Sequence, residues 1–124
     1  MRKPRAISLE SKKSTAILTR EVCGSLDEQA VLEGKPANII VAELISNYLD
    51  QEDKKIYSVP AYDSETVKSR FLMIDDQLWS RFKVLKTTQG RPLGRILEQL
   101  LRIYVGMEVG DEVDPQKGKT RLKR

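Results

Sequence analysis

The chain has no histidine and a single cysteine, Cys23. With no imidazole and one thiol, neither a zinc cluster nor a disulfide framework can be built within it. A catalytic thiolate is not expected at Cys23, because there is no histidine to activate it. No glycine-rich phosphate loop is present, and the adjacent carboxylates Asp75-Asp76 read as a helix cap rather than as an acid–base pair. The sequence therefore gives no support for an enzyme and implies no cofactor. No apolar run approaches the roughly 20 residues of a membrane span. The N-terminus is basic but lacks the apolar segment of a signal peptide. Together with the lone cysteine, these absences lead to the expectation of a cytoplasmic protein with no membrane partner.

What the chain does have is an internal repeat. Gly34-Lys35-Pro36 is followed by Ile40, Leu44, Ile45, Tyr48 and Leu49, and Gly90-Arg91-Pro92 by Ile96, Leu100, Leu101, Tyr104 and Val105, at a constant offset of 56 residues. A fixed period of this kind implies two copies of one small unit. Each copy spans about 40 residues, near the size at which a unit needs a partner to bury a core. In 124 residues without metal or disulfide staples, the two copies are expected to bury their apolar faces against each other.

Charge is unevenly placed. Residues 1–13 carry five basic side chains against Glu10, and residues 114–124 carry five against Asp114, so each end is +4 in a chain whose total is +4. Two basic tails thus flank an acidic body, a pattern that suits a polyanionic partner or a pair of solubilising ends. The units also differ: residues 68–102 sum to +5 and residues 12–47 to −1.

Along the chain, residues 1–12 read as a disordered basic tail. Thr15–Thr19 reads as a weak strand, and Val22, Leu26, Gln29 and Ala30 fall at helical spacing before Gly34 stops the helix. Pro36 suits the first turn of the next helix. Residues 50–67 form a linker with a charged run and turn signals, in which Ile56, Tyr57, Val59 and Tyr62 are available for packing. Lys68–Ile74 reads as the second strand. Asp75 caps a helix bearing Leu78, Phe82 and Leu85, Gly90 ends it, and Pro92 opens the last helix. Each unit is strand, helix, glycine turn, helix. A lone strand cannot satisfy its own N–H and C=O groups, so the two strands are expected to pair. The expected fold is mainly α, with a short two-stranded antiparallel ribbon backed by four helices. Tyr48 and Tyr104 read as core residues with hydroxyls in solvent. Trp79 reads as a cap on the core edge, the other reading being an exposed partner anchor.

The run Phe71-Leu72-Met73-Ile74-Asp75-Asp76-Gln77-Leu78, then Phe82 and Leu85, Gly90-Arg91, and Ile96 to Tyr104 resembles the ribbon-helix-helix family of DNA-binding proteins. The stretch from Val22 to Gly34 repeats the spacing from Leu78 to Gly90. Two units in one chain resembles the conjugative-plasmid members of that family. The resemblance implies a tandem pseudo-dimer, with unit 1 at residues 13–49, unit 2 at 68–110 and a second disordered basic tail at 111–124.

The resemblance also implies that the paired strands lie in the major groove of double-stranded DNA, with alternate side chains reading base edges. Lys13, Thr15 and Ile17, with Ser69, Phe71 and Met73, would face the groove, and Ala16, Leu18, Leu72 and Ile74 the core. Helix-start amides would hold phosphate at Ala37 and Asn38 and at Leu93 and Gly94, with Lys35 and Arg91 nearby. The chain departs from the family pattern at Ile17, Phe71 and Met73, which are apolar where polar readers are usual. It departs again at Pro36 and Pro92, which stand where the family carries a hydroxyl. Two roles follow as expectations. One is a DNA-binding regulator or plasmid accessory protein, with higher oligomers on DNA. The other is a protein-interaction module on the same scaffold, such as an antitoxin or adaptor.

Overall fold

Two side chains turn strands into helices at matching places. Thr19 Oγ1 accepts from the amide of Val22 at 3.2 Å, and Asp75 Oδ2 accepts from the amide of Leu78 at 3.1 Å. Each satisfies one of the first-turn donors that a helix leaves without an internal partner. The computed structural model describes residues 13–113. In order they form β1 (Lys13–Thr19), α1 (Arg20–Glu33), α2 (Ala37–Asp50), β2 (Val67–Met73), α3 (Asp76–Gln89) and α4 (Leu93–Val105). These residues are mainly helical, with one two-stranded sheet among them. No helix among the described residues is long and apolar enough to cross a membrane.

The repeat is visible in the elements. Helices α1 and α3 have bounds displaced by 56 residues at both ends. Gly34 and Gly90 end them in the left-handed conformation, with φ of 68° and 66°, where a Cβ would be strained. Pro36 and Pro92 are helix caps rather than first-turn residues, so α2 and α4 begin one residue later than the sequence suggests. Their carbonyls take the first helical bonds, from Ile39 and Ile40 and from Arg95 and Ile96.

The strands pair antiparallel, from Lys13 opposite Met73 to Thr19 opposite Val67, with Thr15 opposite Phe71. Successive side chains of a strand point to opposite faces. Ser14, Ala16, Leu18 and Leu72 accordingly point inward and are buried, as is Ile74 just beyond β2. Ala16, Leu18, Leu72 and Ile74 meet Val22, Leu26, Ile40, Ile45, Phe82 and Leu101 in one core. Trp79 belongs to that core, with its ring 5.5 Å from that of Phe82. Cys23 is buried, and burial pushes its thiol above the ordinary range.

Buried polar groups join the two halves. Glu98 is fully buried and accepts from the Thr19 amide at 2.9 Å, the Thr19 hydroxyl at 2.6 Å and Arg102 Nε at 2.8 Å. Arg102 also donates to the carbonyl of Glu108 at 3.0 Å. Arg70 grips Asp27 with two bonds of 2.7 and 3.1 Å and holds its carboxyl below the usual range.

The linker is ordered by side chains of both units. Ile56 is buried. Tyr48 Oη donates to the Lys55 carbonyl at 2.6 Å and accepts from Gln89 at 2.9 Å, so its hydroxyl is not in solvent as expected. Tyr104 is exposed rather than part of the core, and its hydroxyl pairs on the surface with Glu33, which pushes the phenol up to about 12. Residues 111–113, read from the sequence as the start of the second tail, bond to the linker: Ser58 donates to Asp111 at 3.0 Å and Val113 to Ile56 at 2.7 Å. The tails at 1–12 and 114–124 lie outside the described residues.

Two stability outcomes follow. Leu72→Asp buries an unpaired carboxylate and is expected to abolish cooperative unfolding, whereas Phe71→Ser on the other face changes stability by only about 0.5 kcal/mol. Urea melts that ranked them the other way would show the ribbon inverted. Glu98→Ala leaves the Thr19 amide without its acceptor and takes the buried carboxylate from Arg102, which keeps the Glu108 carbonyl and Glu21 at 3.6 Å, and is expected to cost about 3 kcal/mol; a melt within 1 kcal/mol of wild type, roughly the effect of an ordinary substitution, would refute the role given to this carboxylate.

Candidate nucleic-acid interface

The ribbon's outer face is built by alternation. With Ser14, Ala16 and Leu72 committed to the core, the odd-numbered neighbours must point away from it. Thr15, Ile17, Ser69, Phe71 and Met73 are all exposed, Phe71 at 71%. Lys13 lies opposite Met73 in the ladder. The six expected positions therefore make two antiparallel rows of three, with Thr15 and Phe71 paired at the centre. The rows are chemically unequal, because Ile17, Phe71 and Met73 are apolar.

Two helix starts stand at the edges of this ribbon. At the β2 edge, Asn38 Oδ1 accepts from the Met73 amide at 3.1 Å. At the β1 edge, Gly94 packs on the backbone of Ile17 so closely that a Cβ would lie 2.5 Å from its carbonyl oxygen. Met73 follows Ile17, and Gly94 follows Asn38, by the same 56 residues. No side chain caps either helix start. Ala37, Asn38, Leu93 and Gly94 are thus brought to the ribbon's two edges, with helix-start amides of the kind that suit anions.

The two basic residues expected beside them are placed differently. Lys35 is bound to Glu43 at 2.9 Å on the surface, and this carboxylate raises its pKa. Arg91 is turned into the protein. It donates to the Tyr57 carbonyl at 2.9 Å, to Gln89 at 3.2 Å and, at close range, to Gln99, and burial lowers its pKa. Its role is to bind the linker, because a half-buried guanidinium must find acceptors and the linker backbone supplies one.

Sequence reasoning offered Tyr62 only for packing and did not place Arg95 beside it at the ribbon edge. Arg95 lies in the first turn of α4 with its guanidinium carbon 4.4 Å from the centre of the Tyr62 ring, a cation–π contact. The Tyr62 hydroxyl donates to the Ile17 carbonyl at 2.7 Å, and burial pushes this phenol well above its ordinary value. The signal for Arg95 was its place three residues after Pro92; nothing local marked Tyr62 as its partner.

No protein-family model matches the chain, and no curated protein or solved structure matches it.

Arg91→Ala removes two of the linker's anchors, its own and the orientation of Gln99. The expected result is faster proteolytic cutting between residues 51 and 66, with the helices still formed by circular dichroism. Unchanged cutting would show that the linker is held without Arg91.

Proposed function

We propose that the chain is two ribbon-helix-helix units folded as an intramolecular pseudo-dimer, and that its ribbon enters the major groove of double-stranded DNA. The observation that carries this reading is the exposed face of five alternating side chains, Thr15 and Ile17 beside Ser69, Phe71 and Met73, with Lys13 opposite Met73 in the register, flanked by two helix starts at positions related by the repeat. A two-stranded ribbon fits the major groove, where base edges differ in donors, acceptors and methyl groups. Lys13, Thr15 and Ser69 supply polar readers. Ile17, Phe71 and Met73 suit thymine methyls. Because the rows differ, the preferred site is an imperfect palindrome with unequal halves.

Phosphate contacts position the protein and carry no sequence information. They fall to the helix starts, to Arg95 and to the basic tails. The role is that of a transcriptional regulator or a plasmid accessory protein, which implies a cytoplasmic location. One observation favours a second reading: Phe71, Met73 and Ile17 expose large apolar surface on the ribbon, which suits docking to a protein, as in an antitoxin or adaptor.

Fluorescence-anisotropy titration against random and candidate operator duplexes at two salt concentrations tests the proposal. Binding is expected to weaken steeply with salt. Removing residues 114–124 should weaken it for all sequences alike and flatten the salt dependence. Changes at Lys13, Thr15 or Met73 should alter which sequence is preferred. No binding to either duplex at low salt would reject the DNA reading in favour of the protein-docking one.

A further inference from the structure

Helices α1 and α3 both pack against α2 and α4. Their outer faces are opposite in character. Helix α1 carries Glu21, Asp27, Glu28 and Glu33 against Arg20, and helix α3 carries Arg81, Lys83 and Lys86 against Asp76. On α1 an exposed stripe runs through Glu21, Gly24 and Glu28 to Val31 and Leu32, which are 81% and 78% exposed. Fifty-six residues later the stripe on α3 runs through Gln77 and Ser80 to Val84, 58% exposed, with Arg81 and Lys83 beside it. Each flank thus sets apolar surface among charges mostly of one sign, and the prevailing signs differ.

We propose that copies of this chain associate head to tail, the α1 flank of one against the α3 flank of the next. Charge decides the pairing. Two α1 flanks would bring Glu28 and Glu33 against their equivalents, and two α3 flanks would oppose Arg81 and Lys83; like charges brought together at an interface suppress that mode. The α1–α3 contact instead places Glu28 near Arg81 and Lys83, and Val31 and Leu32 against Val84. The inference rests on the two-unit reading, in which these flanks occupy equivalent places on the two halves. Such a contact uses a different patch on each copy and leaves both ends open, so it extends as a directional chain rather than closing as a dimer.

Sedimentation velocity without DNA tests this independently of the ribbon's role. Wild type is expected to gain weight-average mass with concentration at low salt and to return to monomer at high salt. Glu28→Lys with Leu32→Lys cancels the acidic excess of the α1 flank, and Arg81→Glu with Lys83→Glu makes both flanks acidic. Each double variant alone is expected to stay monomeric, and an equimolar mixture to recover association. All four substitutions lie on exposed positions, and circular dichroism melts confirm that each variant is folded. A wild type that stays monomeric at low salt at its highest soluble concentration, or variants that associate alone as well as wild type does, overturns the proposal. Absence of DNA binding in the separate titration would leave this result unaffected.

Discussion

Everything in this structure depends on the pairing of β1 with β2. Each strand is the other's neighbour in the only sheet among the described residues, although 47 residues separate Thr19 from Val67 along the chain. Without the pairing, seven residues in each half would have unpaired backbone groups beside an apolar core, a cost that a unit of about 40 residues cannot absorb. With it, Leu18 and Leu72 enter the same core from two strands, and the helices close over one face of the ribbon. The other face is left open by the same alternation that fills the core, so the fold creates the candidate interface without a separate design for it.

The repeat explains the resemblance between the halves, but polar side chains distinguish them. Arg91 and Gln99 hold the linker at Lys55 and Tyr57, and Gln89 donates to the Tyr48 hydroxyl that in turn bonds the Lys55 carbonyl. The residues 56 positions earlier are Glu33, Lys35 and Glu43, which instead face solvent, with Lys35 paired to Glu43 and Glu33 to Tyr104. An amide such as Gln99 both donates and accepts and so can bind a backbone in both directions, whereas a carboxylate only accepts. The change from Glu43 to Gln99 is the kind of difference that lets one half of a repeat dock a strand of linker while the other stays exposed.

Much of the architecture was legible because its signals are local. Gly34 and Gly90 stop helices, Asp75 caps one, and Pro36 and Pro92 mark the helix starts near Ala37 and Leu93. The resemblance chose which face of the ribbon points outward, at Thr15, Ile17, Ser69, Phe71 and Met73, and the alternation of a strand then puts Leu72 inward. What stayed hidden depends on partners far away in sequence. Glu98 and Arg102 look like an exposed pair one helical turn apart; only Thr19, 79 residues earlier, makes Glu98 a buried junction. Arg91 has the sequence context of a phosphate ligand, yet its acceptor is the Tyr57 carbonyl, 34 residues away. The hydroxyls of Tyr48 and Tyr104 were misread for the same reason, since a tyrosine at a helix end gives no sign of what will reach it.

The two edges of the ribbon are consequently held in different ways. At the β1 edge the Ile17 carbonyl takes the Tyr62 hydroxyl, the Thr19 amide meets Glu98, and the Arg20 amide reaches the Thr66 carbonyl at 2.8 Å. Tyr62 and Thr66 belong to the linker and Glu98 to the second unit, so β1 is fixed by groups from outside its own half. At the β2 edge the Met73 amide is held by Asn38 of the first unit. Each strand is thus anchored by the opposite half, which makes the ribbon's geometry a property of the whole chain. Charge-assisted bonds, roughly twice as strong as neutral ones, serve both strands: the Thr19 amide of β1 meets buried Glu98, and Arg70 of β2 grips Asp27 of the first unit. The exposed row of Thr15 and Ile17 and that of Ser69, Phe71 and Met73 are therefore both presented from strands held by the other half.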